Sequence, residues 1–484
     1  MKSLFHSSWF YLCLAVILLI PVLFLNNKDT HDWSGDFAMY LQQAEIIVEG
    51  GEQVNNNYLF NEEHNRVGPS TYPIGFPLLL SPIYLIFGND MGAFMSFISI
   101  CYYLMGLVCF VFFSRKIGHF KALLLSLILC YNPMMLDFKL ELMSEIPFTL
   151  CLFLTLLLYD RYRQKAIFAI AIGLLIGLIV LIKSLGLAIL AGLIIYFILH
   201  RKNLDLKTHL LIIASSFAFI LTTNIIFLGS ATGASGYIGH FGDHPFSETF
   251  YRSLLHIVRA FKLFFGGNKE HVLYLIEVVR ACGLALVLIG FSNRIMRKKI
   301  NLDGFIFISF LVVLVVFPYT FSTGTRLLIP VFPLLIYYAI QGFGDIKLEF
   351  KKLKYATTLI GMAIVILIYQ PEIDIVLKYN NRPINGPLDN KAQECFKFID
   401  SNTDQDATIL FQKPRVLGLY ANRKSWSIQN TSSSEDIERQ MKQFNCKYIL
   451  SSSDLKNQAI DSFVTEKLEN HIVWSNGDFT LYKI

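Results

Sequence analysis

The stretch from Ala166 to Leu199, AIFAIAIGLLIGLIVLIKSLGLAILAGLIIYFIL, carries a single charge, Lys183, near its middle. A helix needs about 20 apolar residues to cross a bilayer core. The stretch is therefore read as two consecutive spans, 166–182 and 185–199, with Lys183 in the turn that joins them. Similar segments lie on both sides: 9–25, 92–114, 119–132 and 145–159 before it, and 208–228, 272–291, 303–320, 327–343 and 355–370 after it. Continuous apolar runs of this kind predict a polytopic α-helical membrane protein of about 11 transmembrane helices. They exclude a transmembrane β-barrel, whose strands alternate apolar and polar residues.

The composition agrees and divides the chain. Of the 484 residues 54% are hydrophobic and 16% charged, and the mean hydropathy is +0.49, where a soluble domain carries about 25% charged residues. The first 370 residues hold 49 Lys, Arg, Asp and Glu with net charge +7, and the remaining 114 hold 29 with net charge −1, so a soluble composition begins near residue 371. The basic excess sits between apolar segments and not on one polar face, which excludes a nucleic-acid binder and a cytosolic enzyme. Residues 371–484 alternate helical patterns (389–401, 414–421, 433–444, 454–469) with strand patterns (407–411, 447–451, 471–474, 478–483), which predicts a small α/β domain. That domain contains no Gly-rich phosphate loop and no nucleophile motif. Its two cysteines, Cys395 and Cys446, leave a disulfide open, because spacing fixes no geometry.

Sidedness follows from the segment 73–88, PIGFPLLLSPIYLIFG, which is apolar but holds Pro73, Pro77 and Pro82. If it does not span, the clusters Arg115/Lys116/Lys121, Arg161/Arg163/Lys165, Arg201/Lys202/Lys207, Arg294/Arg297/Lys298/Lys299 and Lys347/Lys351/Lys352/Lys354 share the side of Lys2. Short basic loops face the cytoplasm, so the segment is read as an interfacial or re-entrant helix. The same assignment leaves loops 26–91, 133–145 and 229–271, and the domain 371–484, outside the cytoplasm. The expected location is a bacterial inner (plasma) membrane with multiple passes.

Chemistry is sought on that outer side. Asp36 opens a helical pattern after the first span, where a carboxylate serves either as an N-cap or as a general base on a hydroxyl. Asp137, Glu141 and Glu145 recur every four residues and would share one helical face. Glu145 stands at the mouth of a span, where an uncompensated carboxylate is costly and marks function. Lys183 and Arg326 are cations at two other mouths and suit an anionic group such as a phosphate. The stretch 245–266 is amphipathic, with Arg252 and Arg259 off its apolar face, and suits a membrane surface and its anionic lipids. His240, Asp243 and His244 are metal-ligand types, but a Gly-rich loop gives them no defining spacing.

Gly35-Asp36-Phe37-Ala38-Met39-Tyr40, Tyr72-Pro73-Ile74-Gly75-Phe76-Pro77, Ser144-Glu145-Ile146-Pro147 and Arg326-Leu327-Leu328-Ile329-Pro330 follow one another in the expected topology. In these pieces residues 1–370 resemble the GT-C membrane glycosyltransferases, in particular bacterial relatives of protein O-mannosyltransferases and of the lipid A aminoarabinose transferase. The resemblance implies a sugar donor on a polyprenyl phosphate and an acceptor hydroxyl on a protein, lipid or glycan outside the cytoplasm. It further implies inversion by single displacement. Carried over by position, Asp36 is the general base, Glu145 the second acid, and Lys183 and Arg326 the donor-phosphate ligands. Asp137, Glu141, Arg66, Tyr72, Arg252 and Arg259 are supporting candidates. No cofactor is required by this reading, and a divalent metal is left open. Lys413-Pro414-Arg415-Val416-Leu417 resembles a segment of bacterial members and is assigned no role. A flippase or transporter of lipid-linked saccharide, and a polysaccharide ligase or polymerase, are the alternatives. A transporter would place ionisable groups at mid-membrane and repeat its fold internally.

Overall fold

The computed structural model describes residues 8–202, 204–227, 246–260, 273–316, 326–345, 369–370, 373–378 and 384–484. The span expected at 355–370 lies outside the described residues up to 368, and so do His240, Asp243 and His244. The chain forms two compact units. One comprises Met1–Lys28, Met95–Thr222 and His240–Arg382; the other comprises Asp29–Phe94, Thr223–Gly239 and Pro383–Ile484.

The first unit is helical: α1 (Ser8–Leu19), α4 (Met91–Ile117), α5 (His119–Cys130), α6 (Pro133–Phe138), α7 (Glu145–Tyr162), α8 (Ala166–Ile182), α9 (Leu187–His200), α10 (Leu206–Phe227), α11 (Phe246–Ala260), α12 (Leu273–Met296), α13 (Leu302–Val316) and α14 (Phe332–Asp345). Among the described residues three stretches, Met91–Ile117, Leu206–Phe227 and Arg326–Asp345, are long and apolar enough by length and composition to cross a membrane. Between helices that pack without a hydrophobic driving force, small residues allow close approach. On α8, Gly173 and Gly177 do this against α10, where a Cβ on Gly177 would stand 3.0 Å from the Ser216 carbonyl oxygen. Tyr102, Phe113, Phe153, Tyr337 and Tyr338 are buried in this unit.

The second unit opens with α2 (Asp36–Glu49) and α3 (Gly75–Phe87). Of the prolines of 73–88, Pro73 precedes the helix and Pro77 falls in its first turn, where no helical N–H is needed, while Pro82 stands inside it and the nearby Leu78 carbonyl accepts from Ser81 Oγ at 3.0 Å instead. Phe76 and Leu80 of α3 are buried, whereas Leu85, Ile86 and Phe87 are exposed. The C-terminal part folds as β1 (Thr408–Leu410), β2 (Lys424–Trp426), β3 (Cys446–Ser452), β4 (Ile472–Ser475) and β5 (Phe479–Lys483), with α15 (Asn390–Asn402), α16 (Pro414–Ala421), α17 (Ser434–Gln443) and α18 (Gln458–Lys467). The sheet order is β2-β1-β3-β5-β4, parallel on both sides of β1 and antiparallel about β5. Trp426, Ile437, Ile449, Ile460 and Phe463 lie in its core, and Leu59 of the first long loop packs against them. That loop also extends the sheet: Leu59 N–H donates to Ser425 O at 2.9 Å and Ser425 N–H to Asn57 O at 2.9 Å. Cys395 and Cys446 do not pair.

Candidate active site

In the second unit the focus is Asp36. It is the first residue of α2, and the cap position falls to Gly35, which makes no side-chain capping bond. The carboxylate therefore stands at the positive end of the helix dipole with its side chain turned to other partners. Tyr72 Oη donates to Asp36 Oδ1 at 2.6 Å. Arg415 Nη1 reaches the same oxygen at 3.3 Å and donates to Tyr72 Oη at 2.9 Å. Tyr72 is itself clamped by Gln43, whose side chain accepts from Tyr72 N–H at 3.0 Å and donates to Tyr72 O at 2.9 Å. The Asp36 side chain keeps 20% of its surface exposed, so it is held by the protein and still reachable.

Arg415 arrives from the start of α16 with only 1% of its side chain exposed. Its Nη2 donates to Pro69 O at 2.7 Å, and its guanidinium lies 4.9 Å from the Tyr58 ring centroid and 5.0 Å from that of Tyr72. Burial works against its charge, but Tyr72, Asp36 and Tyr58 outweigh burial and hold the guanidinium above its ordinary pKa. Gly68, at φ +100°, makes room for it: a Cβ there would stand 2.6 Å from Arg415 Nη2. Sequence reasoning did not place Arg415 in the site. One signal was available. Between residues 29 and 72 the only cation is Arg66, against the acids Asp29, Asp32, Asp36, Glu45, Glu49, Glu52, Glu62 and Glu63, and an acid-rich segment that packs needs a cation from elsewhere.

In the first unit the focus is Glu145, the opening residue of α7. Its side chain is 2% exposed and its Oε1 lies 2.6 Å from Lys183 Nζ and 3.2 Å from Arg326 Nε. The two cations keep 19% and 24% of their side chains exposed. Lys183 sits in extended backbone between α8 and a short 3-10 turn, Ser184–Gly186, as the sequence pattern predicts. Arg326 opens the 3-10 segment Arg326–Val331 that leads into α14. Three mouths of apolar segments thus converge on one carboxylate oxygen.

The single helical face expected for Asp137, Glu141 and Glu145 does not form. The helix α6 ends at Phe138 and a new helix starts at Glu145. Pro147 is the cause: a helix running through it would meet the proline ring with its carbonyl at residue 143, so the helix restarts within one turn of it. Asn132 caps α6 by accepting from Met135 N–H at 3.1 Å. Lys139 is drawn inward, donating to Leu25 O at 2.6 Å and Asn26 O at 3.3 Å. Asp137 is exposed at the end of α6, and Glu141 is half-buried in the turn between the helices. Arg252 pairs with Glu248 one turn earlier on α11. The side chains of Arg66 and Arg259 lie outside the described residues.

The fold is that of the GT-C membrane glycosyltransferases. ArnT from Cupriavidus metallidurans bound to undecaprenyl phosphate superposes with a TM-score of 0.64 at 11% identity, covering 98% of each chain. The archaeal oligosaccharyltransferase AglB from Archaeoglobus fulgidus, in complex with an inhibitory peptide and a dolichol-phosphate, gives 0.59 at 15% identity, covering 93% of this chain and 70% of its own. The arabinofuranosyltransferase AftD from Mycobacteria gives 0.52 at 11% identity, covering 99% of this chain and 40% of its own. Residues 71–227, about a third of the chain, match the family of dolichyl-phosphate-mannose-protein mannosyltransferases. No curated protein is matched by its sequence.

Proposed function

We propose that the protein transfers a sugar from a polyprenyl-phosphate donor to an acceptor hydroxyl on the extracytoplasmic side of a bacterial plasma membrane. The acceptor oxygen attacks the anomeric carbon as its proton passes to the Asp36 carboxylate. The bond from that carbon to the phosphate oxygen breaks on the opposite face, so configuration inverts, and the electron pair leaves with the phosphate. Negative charge grows on the phosphate oxygens along this path. Lys183 and Arg326 stabilise that charge more in the transition state than in the ground state, which is what accelerates the step. Glu145 serves by holding the two cations together until the phosphate arrives.

The observation that carries this reading is the setting of Asp36: a partly exposed carboxylate beside a buried arginine and aimed by a tyrosine hydroxyl. General-base catalysis contributes about 10²–10⁴ in rate. The test is purified protein in detergent with radiolabelled undecaprenyl-phosphate sugars and a membrane extract. Asp36→Asn keeps the shape and loses the proton acceptor, so transfer of label should fall by at least about 10² while the donor still binds. A variant that transfers at the wild-type rate removes Asp36 as the base.

A further inference from the structure

We infer that Arg415 of the C-terminal domain is a positioning residue for Asp36, so that this domain completes the site and does not merely decorate it. The inference rests on the function proposed above. Arg415 Nη1 donates to Tyr72 Oη at 2.9 Å, which leaves the tyrosine's own hydrogen to point at Asp36 Oδ1, 2.6 Å away. The guanidinium thus fixes the direction of the hydroxyl, and the hydroxyl fixes the carboxylate. The direct contact of Arg415 with Asp36 is the longer one, at 3.3 Å, so the cation acts largely through Tyr72.

The arginine is itself held on every side. Pro69 O takes Nη2, Tyr58 and Tyr72 flank the guanidinium plane, and its backbone carbonyl accepts from Gln42 Nε2 at 2.8 Å. Gln42 belongs to α2, the helix that Asp36 opens, so both ends of Arg415 are tied to the element that carries the carboxylate. Packing alone does not call for a cation here. Its Nε is buried without a hydrogen-bond partner, and well-packed apolar residues often stabilise such a position as well as a buried ion pair does. What an arginine adds is a fixed planar fork and a permanent charge. Both act on the oxygen that also takes Tyr72. Tyr72 and Arg415 both face Asp36, and Arg415 is charged throughout the acidic and neutral range.

Removing that charge lets Asp36 protonate more readily, because an adjacent cation favours the carboxylate. In the detergent assay with radiolabelled undecaprenyl-phosphate sugars, Arg415→Gln should lower kcat by about 10–100-fold, as a small misplacement of a catalytic group does. The KM for donor should stay within about twofold, and the acidic limb of the pH–rate profile should move up by about one pH unit or more. Arg415→Lys keeps the charge and loses the fork, so it should return the acidic limb toward wild type while kcat stays low. A wild-type kcat and acidic limb in Arg415→Gln would overturn the inference, and so would a loss of rate with the limb unmoved. If Arg415→Gln does not fold, Arg415→Lys decides: a wild-type kcat overturns it. Active wild type, inactive Asp36→Asn and unchanged Arg415→Gln would sink this inference alone. Inactive wild type, or active Asp36→Asn, sinks the proposed function and this inference with it.

Discussion

Replacing Glu145 by Gln keeps the shape of the side chain and removes the carboxylate charge that Lys183 and Arg326 share. At an effective dielectric constant of about 20, charges 2.6 and 3.2 Å apart attract by about 6 and about 5 kcal/mol respectively. Desolvation of the buried carboxylate offsets several kcal/mol of this. Because a fifth to a quarter of each cation side chain remains exposed, water recovers part of the rest. Breaking a fully buried pair costs about 3–5 kcal/mol, and the wet cations reduce that here to about 2–4 kcal/mol. The variant should therefore unfold more readily by this amount in mixed detergent micelles. The same change removes a carboxylate that competes with phosphate for these two cations, which favours an incoming phosphate. Undecaprenyl phosphate should accordingly raise the stability of Glu145→Gln more than that of the wild type at equal concentration. A ligand at about 100 times its Kd adds about 2.7 kcal/mol, so the difference is measurable. Stability of the variant within about 0.5 kcal/mol of wild type, the range of a neutral surface change, would refute the reasoning. Equal shifts of both proteins by the lipid phosphate would refute the assignment of the cations to it.

Gly68→Ala should destabilise the protein by about 1–3 kcal/mol, the cost of a side chain in a positive-φ conformation, since φ is +100° there and the new Cβ meets Arg415 Nη2. Its transfer rate should fall as that of Arg415→Gln does, and an unaltered melting curve and rate would speak against the wedge. Lys139 is buried and its amine is pushed down to about 7, from about 10.4 in an unfolded chain. Between those values the unfolded state binds more protons, so stability should rise with pH from about 7 to about 10 by a few kcal/mol. Lys139→Met should flatten that rise in thermal unfolding measured across the range, and an equal slope in both proteins would rule out Lys139 as its source.

The parts of the molecule that were legible beforehand are those whose physics is local. A run such as 166–182 has one reading, because only a helix satisfies its backbone in lipid, and the helix ends one residue before Lys183. In the C-terminal domain α16 was expected at 414–421 and stands there, since Pro414 can only begin a helix. The strand β2, three residues long, was missed: Lys424-Ser425-Trp426 is too short for alternation to show and takes its form from pairing with β1 and with the loop at Tyr58. The acids at 137, 141 and 145 misled in the other direction. Their spacing is a weak signal of about 0.2–0.5 kcal/mol per pair, and Pro147 overrides it with a cost of about 3 kcal/mol. Lys183, Arg326 and Glu145 were marked singly by the cost of charge near a membrane, but nothing in their spacing says that they meet on one oxygen.

The two clusters also differ in how much of the chain each must wait for. Glu145 and Lys183 are 38 residues apart, on elements that follow one another directly, and α7 packs beside α8. Asp36 and Arg415 are 379 residues apart, and the loop strand at Asn57–Leu59 pairs with Ser425, which is equally remote. Contacts of long sequence separation form late, because loop closure precedes any return from the contact. The first long loop therefore carries its carboxylate through synthesis without the partner that orients it. Asp36 meets Arg415 when α16 folds onto α2, and Glu63 of the same loop meets Arg439 of α17. A chain ending before Pro414 would keep Glu145 and Lys183 but lack Arg415, so the Tyr72 hydroxyl that donates to Asp36 would lose the guanidinium that fixes its direction. The C-terminal domain thus sets the point at which the first long loop gains the cation beside its carboxylate.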